Sequence, residues 1–367
     1  MEFADEIVPS PHLTNTSWRG DRISPACDRS LVNHPENDQV YRDAYHGNAW
    51  SRTPALGAAV YGKTQSFPPS PIENLGSGKY LRVPYRRIPI IDVHSVEELA
   101  NFAQSVVNTE SIRGVWRGQV RQYQLPRSHD DRLRLYGDAT VEEPSLLPSA
   151  SRDNIYFPDF FEAWAGLLDL FMEQHVQYLS KTYPSRREEL LRATENFRCS
   201  YGYRLWGLAT AQHYGLPSVG LDVTHDINVA LFFALHRFTT DASTGAMSMT
   251  RAVASDDPVI YGLGGLERHD LLEDAELAPS WLQCARPKAQ GASFFTTGWG
   301  EAGNKAADRI YVAFRLVNHT EWQSPLNLRQ VFPCTQDDVL LDFLLTARDR
   351  YTDPEIQKLL KRIYFVP

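Results

Sequence analysis

Cysteine is scarce in this chain. The four that occur, Cys27, Cys199, Cys284 and Cys334, are scattered, with no Cys-x-x-Cys pair and no histidine at ligand spacing. That pattern argues against a zinc site and against a disulfide framework, so no metal is expected. Hydrophobic runs are short. None approaches the ~18 consecutive apolar residues at which a helix begins to span a bilayer, so no membrane partner is expected. Long basic runs are missing too: Arg86-Arg87 and Lys361-Arg362 are isolated pairs, and 37 Lys and Arg stand against 45 Asp and Glu, a net charge of -8. A chain so balanced does not coat nucleic acid by charge alone, although a local basic groove stays open to it. The first residues, Met1-Glu2-Phe3-Ala4-Asp5-Glu6, are acidic and lack the apolar run of an export signal. With so little cysteine, the expected location is cytoplasmic.

What is present is enough for a sizeable core: 43% hydrophobic residues, 17 Phe, 17 Tyr and 8 Trp. Residues 1–87 differ from the rest. Pro9, Pro11, Pro25, Pro35, Pro54 and the cluster Pro68-Pro69-Ser70-Pro71 break any period, which predicts a loosely ordered extension, with Trp18 and Trp50 as candidate anchors. From residue 88 the pattern tightens into one domain, 88–367. Ile88 to Val93 reads as a strand, and Ser95 with Glu98 forms a capping box opening a helix to about Asn108. Gly114 to Gly118 reads as a strand, Phe157 to Tyr183 as one or two helices, and Ser185 with Glu188 as the cap of a helix to Phe197. Tyr201 to Tyr214 is helical, Ser218 to Val223 a strand, and Asp226 to Phe238 an apolar helix. A period of two then marks strands at Ala246 to Ala254, Pro258 to Leu263 and Arg309 to Val317. Helices at Gln336 to Ala347 and Pro354 to Ile363 close the chain. The predicted class is α+β, a single mixed domain with a helical N-terminal half and a strand-rich C-terminal half.

Three polar clusters interrupt the apolar pattern. In Trp116-Arg117-Gly118-Gln119, a strand end presents the five-donor fork of Arg117, and Gly118 would let a ligand approach the backbone. In Ala211-Gln212-His213-Tyr214-Gly215-Leu216-Pro217, Gln212 continues the stripe of Leu205, Leu208 and Ala209, so its amide should find partners. Gly215 suits the left-handed position after the helix, and the plainest role for His213 is to bond the last helix carbonyls. In Leu221-Asp222-Val223-Thr224-His225-Asp226, Thr224 or Asp226 can cap the next helix, and Asp222 can pair with an arginine.

Together these strings resemble the FRG domain family, named for an aromatic-Arg-Gly motif that Gln usually follows. Leu147-Pro148-Ser149 with Arg152, Val229-Ala230-Leu231-Phe232-Phe233-Ala234, Arg286-Pro287-Lys288-Ala289-Gln290-Gly291 and Val331-Phe332-Pro333 extend the resemblance in the family's order. The chain departs from it at Val219 and Val223, where the family usually has Arg and Trp, and residues 121–147 look inserted. The layout is also similar, more loosely, to ADP-ribosyltransferases.

That resemblance implies a small-molecule nucleotide partner, with NAD as the cofactor. Arg117, Gly118, Gln119 and Gln212 would hold its diphosphate, Tyr214 would stack, and Thr224 would line the pocket. His213, Asp222 and Gln290 would serve the chemistry, with His213 on a ribose hydroxyl. No glutamate occupies the late motif, where Gln290 stands; Glu301 and Asp222 are the carboxylates that could replace it. The other open reading is a non-enzymatic ligand-binding or interaction module, whose polar residues form one internal network that specifies the fold.

Overall fold

The computed structural model describes residues 23–25, 40–43, 45–46, 48–51, 72, 75–83, 86–110, 115–136, 138–152, 157–264, 271–273, 277–279, 281–282, 284–296 and 303–367. Trp18, Pro54, Pro68 to Pro71 and Glu301 lie outside them. Three short strands, β1 (Ile23–Pro25), β2 (Val40–Asp43) and β3 (Asn48–Ser51), pair antiparallel in a small sheet. The main sheet has eight strands: β4 (Tyr80–Val83), β5 (Arg86–Val93), β6 (Val115–Gln119), β7 (Gly220–Thr224), β10 (Val259–Leu263), β11 (Leu271–Glu273), β12 (Ala292–Thr296) and β13 (Ile310–Leu316). A hairpin of β8 (His236–Thr240) and β9 (Met247–Arg251) stands apart. The main sheet runs β11-β12-β7-β6-β10-β13-β5-β4, with β13 parallel to β5 and every other neighbouring pair antiparallel.

The helices are α1 (Val96–Glu110), α2 (His129–Tyr136), α3 (Ser149–Arg152), α4 (Phe157–Thr182), α5 (Arg187–Arg198), α6 (Tyr201–His213), α7 (Ile227–Leu235), α8 (Ala285–Ala289), α9 (Leu328–Val331), α10 (Val339–Arg350) and α11 (Pro354–Leu360). The class is α+β, as predicted. Strands β4 to β7 come from the part of the chain expected to be mainly helical, and β4 precedes residue 88. The Ser95 box forms: Ser95 Oγ accepts from the Glu98 N–H at 3.1 Å, and Glu98 reaches back to the His94 N–H at 2.6 Å. Ser185 does not cap. It sits in a 3₁₀ turn, Pro184–Arg186, and α5 starts after it without a side-chain cap. Helix α7 also ends sooner than its apolar run suggests. After Leu235 the chain turns extended, because His236 to Thr240 pairs with Met247 to Arg251 and the Thr239 and Ser248 hydroxyls meet at 2.7 Å.

Apolar side chains divide between the two faces of the sheet. On one, Trp116, Ile260, Val312 and Phe314 bury against α1 (Leu99, Ala103, Val106) and α7 (Ala230, Leu231, Ala234). On the other, Val115, Val223, Tyr261, Phe295 and Ala313 close over Leu146 and Ala306. A third cluster joins α4, α6, α10 and α11 through Trp164, Trp206, Leu340, Leu344 and Leu360. Full burial of each large side chain contributes about 1.5–3 kcal/mol, so these clusters hold the sheet rigid around the gap described next.

Candidate functional site

Strands β6 and β7 are neighbours in the sheet, yet they share a single paired register, Trp116 opposite Thr224. Beyond it they part, leaving the Asp222 carbonyl without a strand partner on that side. The guanidinium of Arg117 fills the gap, Nη1 donating to the Asp222 backbone oxygen at 2.5 Å. Asp222 was expected to pair with an arginine; it does so through its carbonyl, and its carboxylate is left to face elsewhere. A cavity of about 170 Å³ opens at this parting. Trp116, Arg117, Gly118, Asp222, Thr224, Val229, Ala230, Phe233 and Gln290 line it. Arg117, Gly118 and Phe233 also border a wider cleft of about 680 Å³ walled by Gln119, Arg121, Tyr123, Arg152, His236, Arg237 and Phe238. Arg117 is therefore the hinge point between an inner cavity and an outer cleft.

Its electrostatics are unusual. Burial, reinforced by the charge of Arg152 and only partly offset by Asp222, lowers the Arg117 guanidinium to about 10. Its Nε is buried and, among the described residues, has no hydrogen-bond partner. Burying a cation with a spare donor costs free energy.

Behind the inner cavity lies His213, its ring wholly buried. Gln290 gives its amide N–H to the Val331 carbonyl at 3.2 Å and so turns its Oε1 toward His213 Nδ1, 3.0 Å away. That geometry assigns the Nδ1 proton to His213, since a carbonyl oxygen can only accept. The opposite ring nitrogen, Nε2, faces an Asp222 carboxylate oxygen at 3.6 Å. His213 was expected to bond the last helix carbonyls; it instead bridges β7 and the turn after α8. Thr224 donates to the Gln290 backbone oxygen at 2.7 Å and accepts from the Asp226 N–H at 3.0 Å, while Asp226 itself caps α7. Arg117, Asp222, Thr224 and Gln290 thus meet at one cavity, with His213 directly behind Asp222.

The other predicted residues lie differently. Tyr214 lines neither space. Its ring is fully buried and its hydroxyl donates to both carboxylate oxygens of Asp338, at 2.9 and 2.8 Å. The ring also sits 4.8 Å from the Arg286 guanidinium, so it stacks on a cation of the fold rather than on an open surface. Gln212 also lies outside both spaces, and its Nε2 has no partner among the described residues, contrary to the expectation that its amide is satisfied. Gln119 borders the outer cleft, with a buried Oε1 likewise unpartnered among them. Gly118 does border the cavity, but the space a side chain would need is taken by the Ala230 and Ala234 backbone of α7. It allows close strand–helix approach. Gly215 adopts φ +91°, as its place after α6 predicts.

Sequence reasoning missed one group entirely. Arg286 is buried among the rings of Tyr214 and Tyr364; it donates to the His213 carbonyl at 2.9 Å and to the Tyr364 carbonyl at 3.0 Å. Asp338, buried at the start of α10, accepts from Tyr214, Leu341 and Arg286 N–H groups or hydroxyl, and burial pushes its carboxyl up against those stabilising bonds. The signal was the Arg286-Pro287-Lys288 string, noted only as a landmark. Arg152 was noted in the same way, and it proves to line the outer cleft with Arg117. Among the described residues, no group of three His, Cys, Asp or Glu is placed to hold a metal, and no helix is long and apolar enough to cross a membrane.

Comparison with known families finds an FRG domain, whose family model matches residues 136–243. The match includes Arg152, His213, Asp222 and Thr224; Arg117 and Gln290 are brought to them by strands and turns outside it. No curated protein and no solved structure matches the chain.

Proposed function

We propose that the cleft binds NAD and that this FRG-containing chain is an ADP-ribosyltransferase-like enzyme. The observation that carries this reading is Arg117: a half-buried guanidinium, bonded to a backbone carbonyl, at the neck between a ring-sized cavity and a wider basic cleft. A dinucleotide is a long molecule with its charge in the middle, and a charge-assisted fork at a neck suits that shape. The inner cavity, walled by Trp116, Val229, Ala230 and Phe233 with the Gln290 amide at one side, suits a flat polar-edged ring such as nicotinamide.

Asp222 is the single acid lining that cavity among the described residues. The chemistry supplied by bound NAD would be transfer of ADP-ribose, with nicotinamide leaving on the glycosidic electron pair and an acceptor nucleophile taking its place. Asp222 would face the positive charge that develops at the broken bond, which is where a fixed carboxylate lowers a barrier. His213, held by Gln290 and by the Arg286 bond to its carbonyl, would stand behind Asp222 rather than touch the ligand, attracting its carboxylate when both ring nitrogens carry a proton.

A second reading has its own support. His213 and Gln290 use their polar atoms on protein partners, as a purely structural network would, and a ligand-binding module without chemistry would look the same there. One experiment separates the two. The full chain is mixed with millimolar NAD, and both melting temperature and nicotinamide release are followed for the parent, Arg117→Gln and Asp222→Asn. The enzyme reading expects a raised melting temperature in the parent and in Asp222→Asn, none in Arg117→Gln, and nicotinamide release by the parent alone. A shift without release supports the binding module. No shift in the parent overturns the proposal.

A further inference from the structure

Four arginines, Arg117, Arg121, Arg152 and Arg237, line the outer cleft, and no Asp or Glu among the described residues lines it with them. Two of the four are already engaged by one carboxylate. Arg237 is held by Asp256, its Nε 3.0 Å from one carboxylate oxygen and its Nη2 on the other, and Arg121 stands 3.8 Å from the same carboxylate. The other two are not. Arg117 spends one N–H on a backbone carbonyl, which carries no net charge, and its Nε has no partner among the described residues. Arg152, at the end of α3, is exposed and forms no ion pair among the described residues. Arg117 and Arg152 are therefore the cleft guanidiniums with no ion-pair partner among the described residues.

The geometry points to Arg117 and Arg152 as a two-guanidinium clamp for a diphosphate, with Arg152 the residue that selects two phosphoryl groups over one. This rests on the reading of Arg117 as an anion contact and adds the ligand class. Two like charges facing one cavity repel each other, so Arg152 lowers the Arg117 guanidinium together with burial. An anion placed between them removes that cost and gains charge-assisted bonds from two rigid forks. A carboxylate or a single phosphoryl group can fill one fork; a diphosphate offers adjacent oxygens to both. The neighbouring surface agrees with a nucleoside on one end of it, because Tyr123, 45% exposed, and Phe238 border the same cleft.

The test titrates inorganic pyrophosphate, inorganic phosphate and NAD into the full chain by calorimetry at low salt, using the parent, Arg152→Gln, Arg152→Lys and Arg117→Gln. Arg152 is exposed, so its variants should melt with the parent. The parent should bind pyrophosphate at least about tenfold tighter than phosphate, the worth of one extra charged hydrogen-bonding fork. Arg152→Gln should erase that preference while leaving phosphate affinity within about threefold, and Arg152→Lys should restore part of it, since it keeps the charge without the fork. Equal pyrophosphate affinity in the parent and Arg152→Gln overturns the clamp, as does a parent that does not prefer pyrophosphate. The two proposals fail separately. If pyrophosphate depends on both arginines while NAD does not bind, the clamp stands and the NAD reading falls. If NAD binds through Arg117 with Arg152→Gln unaffected, the clamp falls and the NAD reading stands.

Discussion

Gly118 lies so close to Ala230 that a methyl group on it would collide with the Ala230 carbonyl oxygen. The strand carrying Arg117 and the helix walling the inner cavity are therefore in backbone contact, and the width of the cavity is set there. Gly118→Ala should force α7 away from β6. Because the obstructing atoms are backbone, the cost should reach or exceed the ~1–3 kcal/mol typical of overpacking. Urea denaturation without any ligand is the measurement. Unchanged stability would show that Gly118 is there for a ligand, as the sequence alone suggested.

Tyr214 offers a second contrast between expected and observed roles. Its hydroxyl is one of the donors that keep the buried Asp338 carboxylate satisfied, and Asp338 in turn caps α10. Tyr214→Phe removes the donor and keeps the ring. The loss should be about 1–3 kcal/mol of stability, the cost of leaving a buried acceptor short of a partner. A ligand-induced shift in melting temperature should survive undiminished, because the ring reaches neither cavity nor cleft. A variant that keeps its stability but loses the shift would return Tyr214 to the site.

Much of this architecture was legible before the fold was known, because local rules governed it. Ser95 with Glu98, the left-handed Gly215 and the short apolar strand Val259–Leu263 each follow from a few neighbouring residues. The sequence also marked Arg117 and Asp222, since a polar residue inside an apolar pattern needs a reason, while Gln290 was marked only through the family resemblance. Their partners were hidden for a different cause. Arg117 meets Asp222 across 105 residues, and His213 meets Gln290 across 77. No periodicity carries information over such distances. Helix α7 shows the complementary failure: it was expected to reach Phe238, but pairing between His236–Thr240 and Met247–Arg251 overrides the helical preference. The parting of β6 and β7, which creates the cavity, is a property of the sheet and has no local signature.

The segment before the main sheet is joined to it by charge. His46 is buried, with Nε2 2.6 Å from Glu143 and Nδ1 2.8 Å from Asp308, and Arg127 bonds Glu143 at 2.5 Å while lying over the Tyr45 ring. Burial alone would lower the imidazole, but the Asp308 and Glu143 carboxylates outweigh it and raise His46 to about 10. A folded-state value above the unfolded one means that the stability contributed by His46 is complete below pH 6.5. It is lost progressively as pH rises toward 10. Glu143 shifts the other way: burial is overcome by Arg127 and His46, which hold it below the usual carboxylate range, so its contribution fades in acid. Urea midpoints measured from pH 6 upward should fall in the parent and stay flatter in His46→Gln. Parallel curves would exclude the buried imidazolium.

Arg117 provides the sharpest separation of function from stability. In a structural ion pair, removing one partner strands the other charge and costs several kcal/mol. Among the described residues Arg117 has no such partner: its Nη1 bonds a backbone carbonyl, its Nε is unpartnered, and burial beside Arg152 lowers it to about 10. Arg117→Met fills similar volume with an apolar chain. It forfeits the bond to the Asp222 carbonyl, about 1 kcal/mol, and relieves the desolvation of a cation and its repulsion with Arg152. The two effects oppose, so the variant should unfold within about 1 kcal/mol of the parent or prove more stable, while anion binding disappears. That trade, stability held or gained as binding is lost, marks a residue kept for a ligand rather than for the fold. Calorimetric binding and denaturant unfolding on the same preparation decide the matter. A loss beyond about 3 kcal/mol would place Arg117 among the residues that hold β6 to β7, and the case for a site at their parting would go with it.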